Sequence, residues 1–423
     1  MLEKSITERG EKRKRNPRRH RKSHKAPRRP DRHRRRREAI RRRRHGQGAN
    51  RRGVGPPQSL LRKLIAPMRQ AIAGAVARDK EESWFPRLSV LAHILCGLFY
   101  HLFGMASLRA TVEKVNNTPE LGIGTVPLST LADAMNSPRR LKVLRQVFAN
   151  LLLGFSEQVP RKLQRFKDIA AIDSTIIHCV LSAFWADYRK AIRACKLHLV
   201  LDLAKGLPNA LVVSAARIHD RKCFEMFLKK GWTYIVDRGY IVYAVFDQMI
   251  DAGIFFITRM KKDAAFRVVT TKRVKRKHRK MGIISDQIIR LGAGAAEMIH
   301  DVRLVVFKTE DGEIYEYLTN RLDLAPTSIA ALYKARWSIE LFFKFFKRTL
   351  RGVRPLARSE AGAEIHILLT LMCDIVLKCM AKVLGRWTPG MRHVPVTFLR
   401  SVRDYLLAMV SHRLEALLAQ ALL

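Results

Sequence analysis

Apolar residues recur at helical spacing over 60–76 and again over 88–103, so the first part of the chain reads as helix. The stretch 126–135 (VPLSTLADAM) predicts a capped helix start with Ser129 or Thr130 as N-cap, and a helix over 139–154 follows. From residue 165 the period changes. Residues 169–177 (IAAIDSTII) form a short apolar, β-branched run with one acid inside it, and 196–203 (KLHLVLDL) alternates. A Gly-Leu-Pro turn at 206–208 leads into 210–216 (ALVVSAA). These are three strands, the last two a hairpin. A helix over about 220–230, a buried strand over 233–236, a helix over 241–252 and a strand over 254–259 come next.

Three strands, helix, strand, helix, strand is the order of a ribonuclease-H-like core, an α/β fold with a mixed sheet and helices on its faces. Residues 265–322 interrupt that core with strand-like alternation (FRVVTTKRV, VRLVVF, EIYEYLTN) and a very basic segment, KRVKRKHRK, at 272–280. They read as a β-rich insertion. A helix over 326–351 returns the chain to the core, and 361–423 is helical and apolar. The organisation expected is a disordered tail over 1–57, a helical module over 58–160 that either binds a DNA groove or serves as a structural cap, a catalytic domain over 161–360 carrying the insertion, and a C-terminal helical region over 361–423.

Charge sharpens the picture. The 423 residues carry a net charge of +45, a field that argues for a polyanionic partner. The first 57 hold 24 Lys and Arg against 5 Asp and Glu. Such a segment cannot bury enough apolar surface to offset its chain entropy. It reads either as a non-specific nucleic-acid tail or as upstream sequence translated from a misassigned start, with Met68 a plausible later one. The six cysteines form no CxxC pair, which suits reduced thiols and a cytoplasmic, nucleoid-associated protein. Two apolar stretches, 88–105 and 361–385, contain His93 and His101, and Glu364, His366, Asp374 and Lys378, and read as buried helices rather than membrane spans.

The candidate chemistry centres on 333–347, YKARWSIELFFKFFK. On a continuous helix, Tyr333, Arg336, Glu340, Lys344 and Lys347 fall within an arc of about 80°, beside an apolar face of Leu332, Ala335, Ile339, Phe342, Phe343 and Phe346. One carboxylate among cations suits a metal ion and a polyanion bound side by side. Asp173 lies inside a buried strand, where an unpaired acid is costly. Asp237 ends another strand before Arg-Gly-Tyr. Each acid alone has an ordinary reading: a hydrogen-bonded structural Asp, a turn-former, and a Glu340 paired with Lys344 at i+4. In the proposed core the strands of Asp173 and Asp237 are neighbours, and Glu340 on the helix behind the sheet could close the site. Three such acids suit Mg²⁺ or Mn²⁺, two ions serving an in-line displacement at phosphorus. Arg336 and Lys347 would hold phosphates, and Tyr333 would bond a phosphate, stack, or simply pack. His219-Asp220 reads as a helix start, Asp202 as facing solvent or a cross-strand cation, Asp168 as a loop residue and His198 as packed in the sheet. No Walker-type loop is present, so nucleotide hydrolysis is not indicated.

These motifs resemble those of bacterial insertion-sequence DDE transposases of the IS-four family. The Tyr-x2-Arg-x3-Glu-x6-Lys pattern is met by Tyr333, Arg336, Glu340 and Lys347, the Asp-x-Gly-Tyr segment by Asp237 to Tyr240, and the first-strand acid by Asp173. The resemblance spans about 60–385 and implies cut-and-paste transposition. By it, Asp173, Asp237 and Glu340 form the metal-binding catalytic triad, and Tyr333, Arg336, Lys344 and Lys347 handle DNA. The same resemblance implies that 60–155 binds the terminal inverted repeats, with the protein a homodimer or larger on paired ends. A stand-alone nuclease of the same fold and a non-catalytic nucleic-acid-binding protein are the alternatives.

Overall fold

The computed structural model describes residues 66, 68–76, 85–118, 121–154, 168–180, 182–189, 192–353, 358–383, 397, 398, 400–402 and 404. The expected tail over 1–57 lies outside the described residues, as does most of the chain beyond 383.

Residues 68–76 are helical, followed by α1 (Val90–Phe103), α2 (Leu108–Asn116), α3 (Leu128–Ala134) and α4 (Pro138–Gly154). Ser89 and Ser107 cap α1 and α2 by accepting the N–H groups of Ala92 at 3.1 Å and Ala110 at 3.2 Å. The N-cap expected at Ser129 or Thr130 is not there. Pro127 occupies that place with extended backbone angles and no side-chain bond, because the proline ring already fixes the geometry that starts a helix.

The sheet region begins with β1 (Ile169–His178), then β2 (Asp187–Arg189), β3 (Ile192–Asp202) and β4 (Leu207–Ala215), the last two joined by a turn with Gly206 at φ +69°. A short helix α5 (Asp220–Phe224) leads to β5 (Thr233–Ile235), α6 (Tyr243–Asp251) and β6 (Phe255–Arg259). β1 runs antiparallel to β3 and β3 to β4, while β5 and β6 run parallel to β1. This is a ribonuclease-H-like core. The insertion follows as β7 (Phe266–Thr271), α7 (Arg276–Arg279), β8 (Ile283–Leu291), β9 (Val302–Lys308) and β10 (Ile314–Thr319). It is no separate layer: β10 pairs antiparallel with β6, so one sheet runs β2-β3-β1-β5-β6-β10-β9-β8-β7, with β4 on β3.

The expected helix over 326–351 is two helices, α8 (Pro326–Ala335) and α9 (Trp337–Arg348). The break is a tightening at Arg336. Its N–H bonds the Tyr333 carbonyl and its own carbonyl takes the Ile339 N–H, both at 3.0 Å and both spanning three residues instead of four. Finally α10 (Glu360–Val383) is a single long helix. Among the described residues no single helix is long and apolar enough to cross a membrane.

Apolar side chains divide by sheet face. Ala170, Ile172, Phe224, Phe246 and Phe256 fill one side under α5 and α6. On the other, Ile169, Ile235, Ile257 and Tyr317 pack under α8, while Ala171, Ile177, Leu197 and Leu199 join α9 and α10. That last cluster also takes in α1 and α4, so residues assigned to the N-terminal module and the C-terminal region share one core. Polar ties reinforce it. Arg145 of α4 grips Glu364 of α10 with two bonds of 2.6 Å. Lys378, fully buried, donates to Asp374 at 2.6 Å and to the Gly206 carbonyl at 2.8 Å, pinning α10 to the β3–β4 turn.

Candidate active site

The site is built on a row of the sheet. The β1–β5 ladder pairs Ile169 with Thr233, Ala170 with Tyr234 and Ala171 with Ile235. Two residues further in the same register stand Asp173 and Asp237. The β5–β6 ladder pairs Ile235 with Ile257, and the same step reaches Arg259, which itself pairs with Tyr317 of β10. Asp173, Asp237, Arg259 and Tyr317 therefore occupy one cross-strand row. Side chains alternate along a strand, so this row faces the side on which α8 and α9 lie.

α9 packs on β1 through Ile339, Phe342, Phe343 and Phe346, which are all buried. Each such side chain removed from water contributes roughly 2–3 kcal/mol, enough to fix which face of the helix meets the sheet. Glu340 and Arg336 are carried with it. Arg336 Nη2 lies 2.7 Å from Glu340 Oε1. The ordinary alternative for Glu340, a pair with Lys344, is not the contact formed: Lys344 is exposed, and the planar guanidinium one turn upstream holds the acid.

The three acids feel one another. Burial first, with the charges of Glu340 and Asp237 adding to it, pushes Asp173 up to about 6, against the opposing Ser174 N–H and Arg336. That N–H meets Asp173 Oδ1 at 2.8 Å. Asp237 precedes a tight turn at Arg238–Tyr240 but makes no side-chain cap there; the turn is held by its carbonyl, which accepts the Tyr240 N–H at 3.0 Å. Its carboxylate is thus not consumed by the turn. As placed, no three His, Cys, Asp or Glu side chains among the described residues are gathered closely enough to hold a metal ion together, and Glu340 is engaged by Arg336.

The remaining sequence candidates sort clearly. Tyr333 is only 8% exposed; its ring lies 5.0 Å from Tyr317, with the Arg336 guanidinium 5.6 Å from its own centre. Lys347 is half-buried, and that burial pulls its pKa below the usual lysine range. Asp220 belongs to the opposite face: it accepts from the Ser174 hydroxyl at 2.9 Å and pairs with Lys196 at 3.0 Å. His198 packs in the sheet, bonded to Ser214 at 3.0 Å. Asp168 is a loop residue with φ 57°. Asp202, expected to face solvent or a cation across the strand, is buried at 4% and bonds the N–H groups of Ala204 and Lys205, both at 2.9 Å, because it forms the β3–β4 turn. Arg259 was missed. The sequence marks it only as the last residue of an apolar strand; its place beside Asp237 is set by the β5–β6 register.

Residues 164–373 match the family model described as transposase DDE domain. A Sinorhizobium fredii protein named as transposase y4zB is 30% identical over 256 residues, 60% of this chain and 71% of that one. A Geobacillus stearothermophilus protein named as the transposase of insertion sequence element IS5377 is 24% identical, over 82% of this chain and 89% of its own. A Synechocystis protein named for element IS4SA is 24% identical, over 65% of this chain and 76% of its own. A piggyBac transposase synaptic complex with hairpin DNA shares 9% identity and a TM-score of 0.41, over 87% of this chain and 83% of that one; the fold assignment rests on the strand order instead.

The chain belongs to the transposases with a DDE domain. It is a DNA transposase, an enzyme that cuts and joins DNA, and the relative named for IS4SA agrees with the IS-four resemblance.

Proposed function

We propose that Asp173, Asp237 and Glu340 are the catalytic carboxylates of a cut-and-paste transposition reaction that depends on Mg²⁺ or Mn²⁺. The observation that carries this reading is the adjacency of Asp173 and Asp237 in one cross-strand row beneath the helix bearing Glu340. The donors fit a hard divalent cation. All are carboxylate oxygens, and Asp173 is raised chiefly by burial, with the charges of Glu340 and Asp237 adding to it, a penalty that a cation would relieve. When bound, two such ions supply activation of the attacking oxygen and stabilisation of the leaving one at phosphorus.

The chain's own residues do the rest. Asp173 and Asp237 would hold metal from the sheet. Glu340 would join them by giving up Arg336, an exchange that frees the guanidinium for a DNA phosphate. Lys347, half-buried on the same helix, supplies a second phosphate contact. Tyr333 acts through its ring, which holds Arg336 in place. Exposed Lys344 adds long-range attraction. Residues 58–160 bind the element's terminal inverted repeats, and pairing of two ends brings together at least two copies of the chain on DNA.

The test is strand cleavage of a labelled duplex carrying the element's end. Asp173→Ala, Asp237→Ala and Glu340→Ala are expected to abolish cleavage and leave DNA binding largely intact. Normal cleavage by these variants would overturn the assignment.

A further inference from the structure

A ladder of aromatic rings links two arginines across the site. Arg259 lies 4.6 Å from the centre of the Tyr315 ring. Tyr315 stacks on Tyr317 at 6.2 Å and 9°. Tyr317 meets Tyr333 at 5.0 Å, and the guanidinium of Arg336 lies 5.6 Å from the Tyr333 ring. The two ends differ. Arg336 is engaged by Glu340 at 2.7 Å. The Arg259 side chain makes no ion pair and no hydrogen bond with any of the described residues; its guanidinium meets the Tyr315 ring, and its charge is felt by Tyr317 and Tyr333.

Arg259 is nevertheless half-buried. It stands next to Asp237 in the row and faces the same side as the acids. A guanidinium in that position has five N–H donors in a rigid fork and gives up part of its hydration without gaining an acceptor. The arrangement is complete only with an anion whose oxygens match the fork. Because the substrate is a phosphodiester chain, that anion is a phosphate.

We infer that Arg259 binds a phosphate of the DNA strand at the active site, from the sheet side next to Asp237 and opposite the helix-borne Arg336 and Lys347. The reacting strand is then gripped from both sides of the carboxylates. The tyrosine ladder sets the two guanidinium groups at a fixed separation. The inference rests on the DNA-transposase function; the triad assignment fails or stands separately.

The test pairs a protein change with a change in the DNA. Duplexes are made from the end sequence flanking the gene, each with one phosphate near the cleavage point replaced by a neutral methylphosphonate. Arg259→Ala is expected to slow single-turnover cleavage of the unmodified duplex by roughly 10–100-fold. At one phosphate position the methylphosphonate slows the wild-type protein by a similar factor and slows Arg259→Ala no further. Arg259→Lys, which keeps the charge and loses the fork, falls between and keeps its sensitivity at that same position.

Wild-type rates for Arg259→Ala overturn the inference. So does slowing that multiplies with the methylphosphonate at every position. If Arg259→Ala melts before assay temperature, Arg259→Lys and Arg259→Gln carry the same comparison. A wild-type protein that binds the duplex but does not cleave it counts against the triad assignment instead. The same pairing, read then as affinity without metal, still decides the role of Arg259.

Discussion

Asp173 and Asp237 share one cross-strand row, each two residues past the last paired rung of the parallel β1–β5 ladder. Burial together with neighbouring acids lifts Asp173 from 3.8 to about 6. The consequence for stability has a definite sign. Below about pH 4 this carboxyl carries its proton in both folded and unfolded chains and no penalty exists. Between about 4 and 6 only the folded chain keeps the proton, so stability falls as pH rises, and above 6 the whole penalty stands. A shift of this size corresponds to at most about 3 kcal/mol. Asp173→Asn is therefore expected to stabilise the metal-free protein at pH 7 by about 1–3 kcal/mol and to flatten that decline. Denaturant titrations at several pH values measure both, and an unchanged profile would contradict the electrostatic account.

The Arg336–Glu340 contact at 2.7 Å makes a different forecast. If Arg336 serves DNA once Glu340 turns to metal, Arg336→Ala lowers single-turnover cleavage by about tenfold or more. Arg336→Lys restores only part of that, because a point charge replaces a fork. Tyr333→Phe stays within about threefold of wild type and Tyr333→Leu does not, since the ring face holds the guanidinium. A severe defect in Tyr333→Phe would instead assign the hydroxyl to the substrate.

Burial of Lys378 with Asp374 is a structural device behind the helix that bears Glu340, its ammonium lying 5.5 Å from the centre of the Phe342 ring. Lys378→Met removes the cation from a buried acid and is expected to destabilise the protein by about 3–5 kcal/mol, with much of the loss recovered in Lys378→Met/Asp374→Leu. Chemical denaturation of both variants checks this. A mild effect in the single variant would show that Asp374 takes up its proton or finds another donor at little cost.

Binding of duplex DNA by the full chain should weaken steeply with salt. Phosphate contacts release counterions, and the logarithm of affinity falls linearly with that of salt concentration. Binding isotherms between low and physiological salt measure the slope. A flat response would remove the meaning given to the net charge of +45.

The core strands were legible because their apolar runs are short, β-branched and separated by strong turn residues, as at Gly206. The row that joins Asp173 to Asp237 followed from strand order alone. Arg259 was not legible, since its meaning depends on a register that only pairing reveals. Nor was the partner of Glu340: on a continuous helix Lys344 and Arg336 are equivalent neighbours, and the tightening at Arg336 goes with pairing on the upstream side. The start of α3 was misplaced because Ser129 and Thr130 have the chemistry of caps, while Pro127 sets the backbone first. The insertion was found by its alternation, yet its continuity with the main sheet depends on the pairing of Tyr317 with Arg259, two residues far apart in the chain.

The central claim is that Asp173, Asp237 and Glu340 act together on a DNA strand with divalent metal. Metal-dependent cleavage of a duplex bearing the element's end, compared among wild type, Asp173→Asn, Asp237→Asn and Glu340→Gln, tests it most directly. The account expects product from wild type in Mg²⁺ or Mn²⁺, none in chelator, and none from any of the three variants although each still binds the duplex. Cleavage at wild-type rate by any one of them, or by wild type without metal, would contradict it.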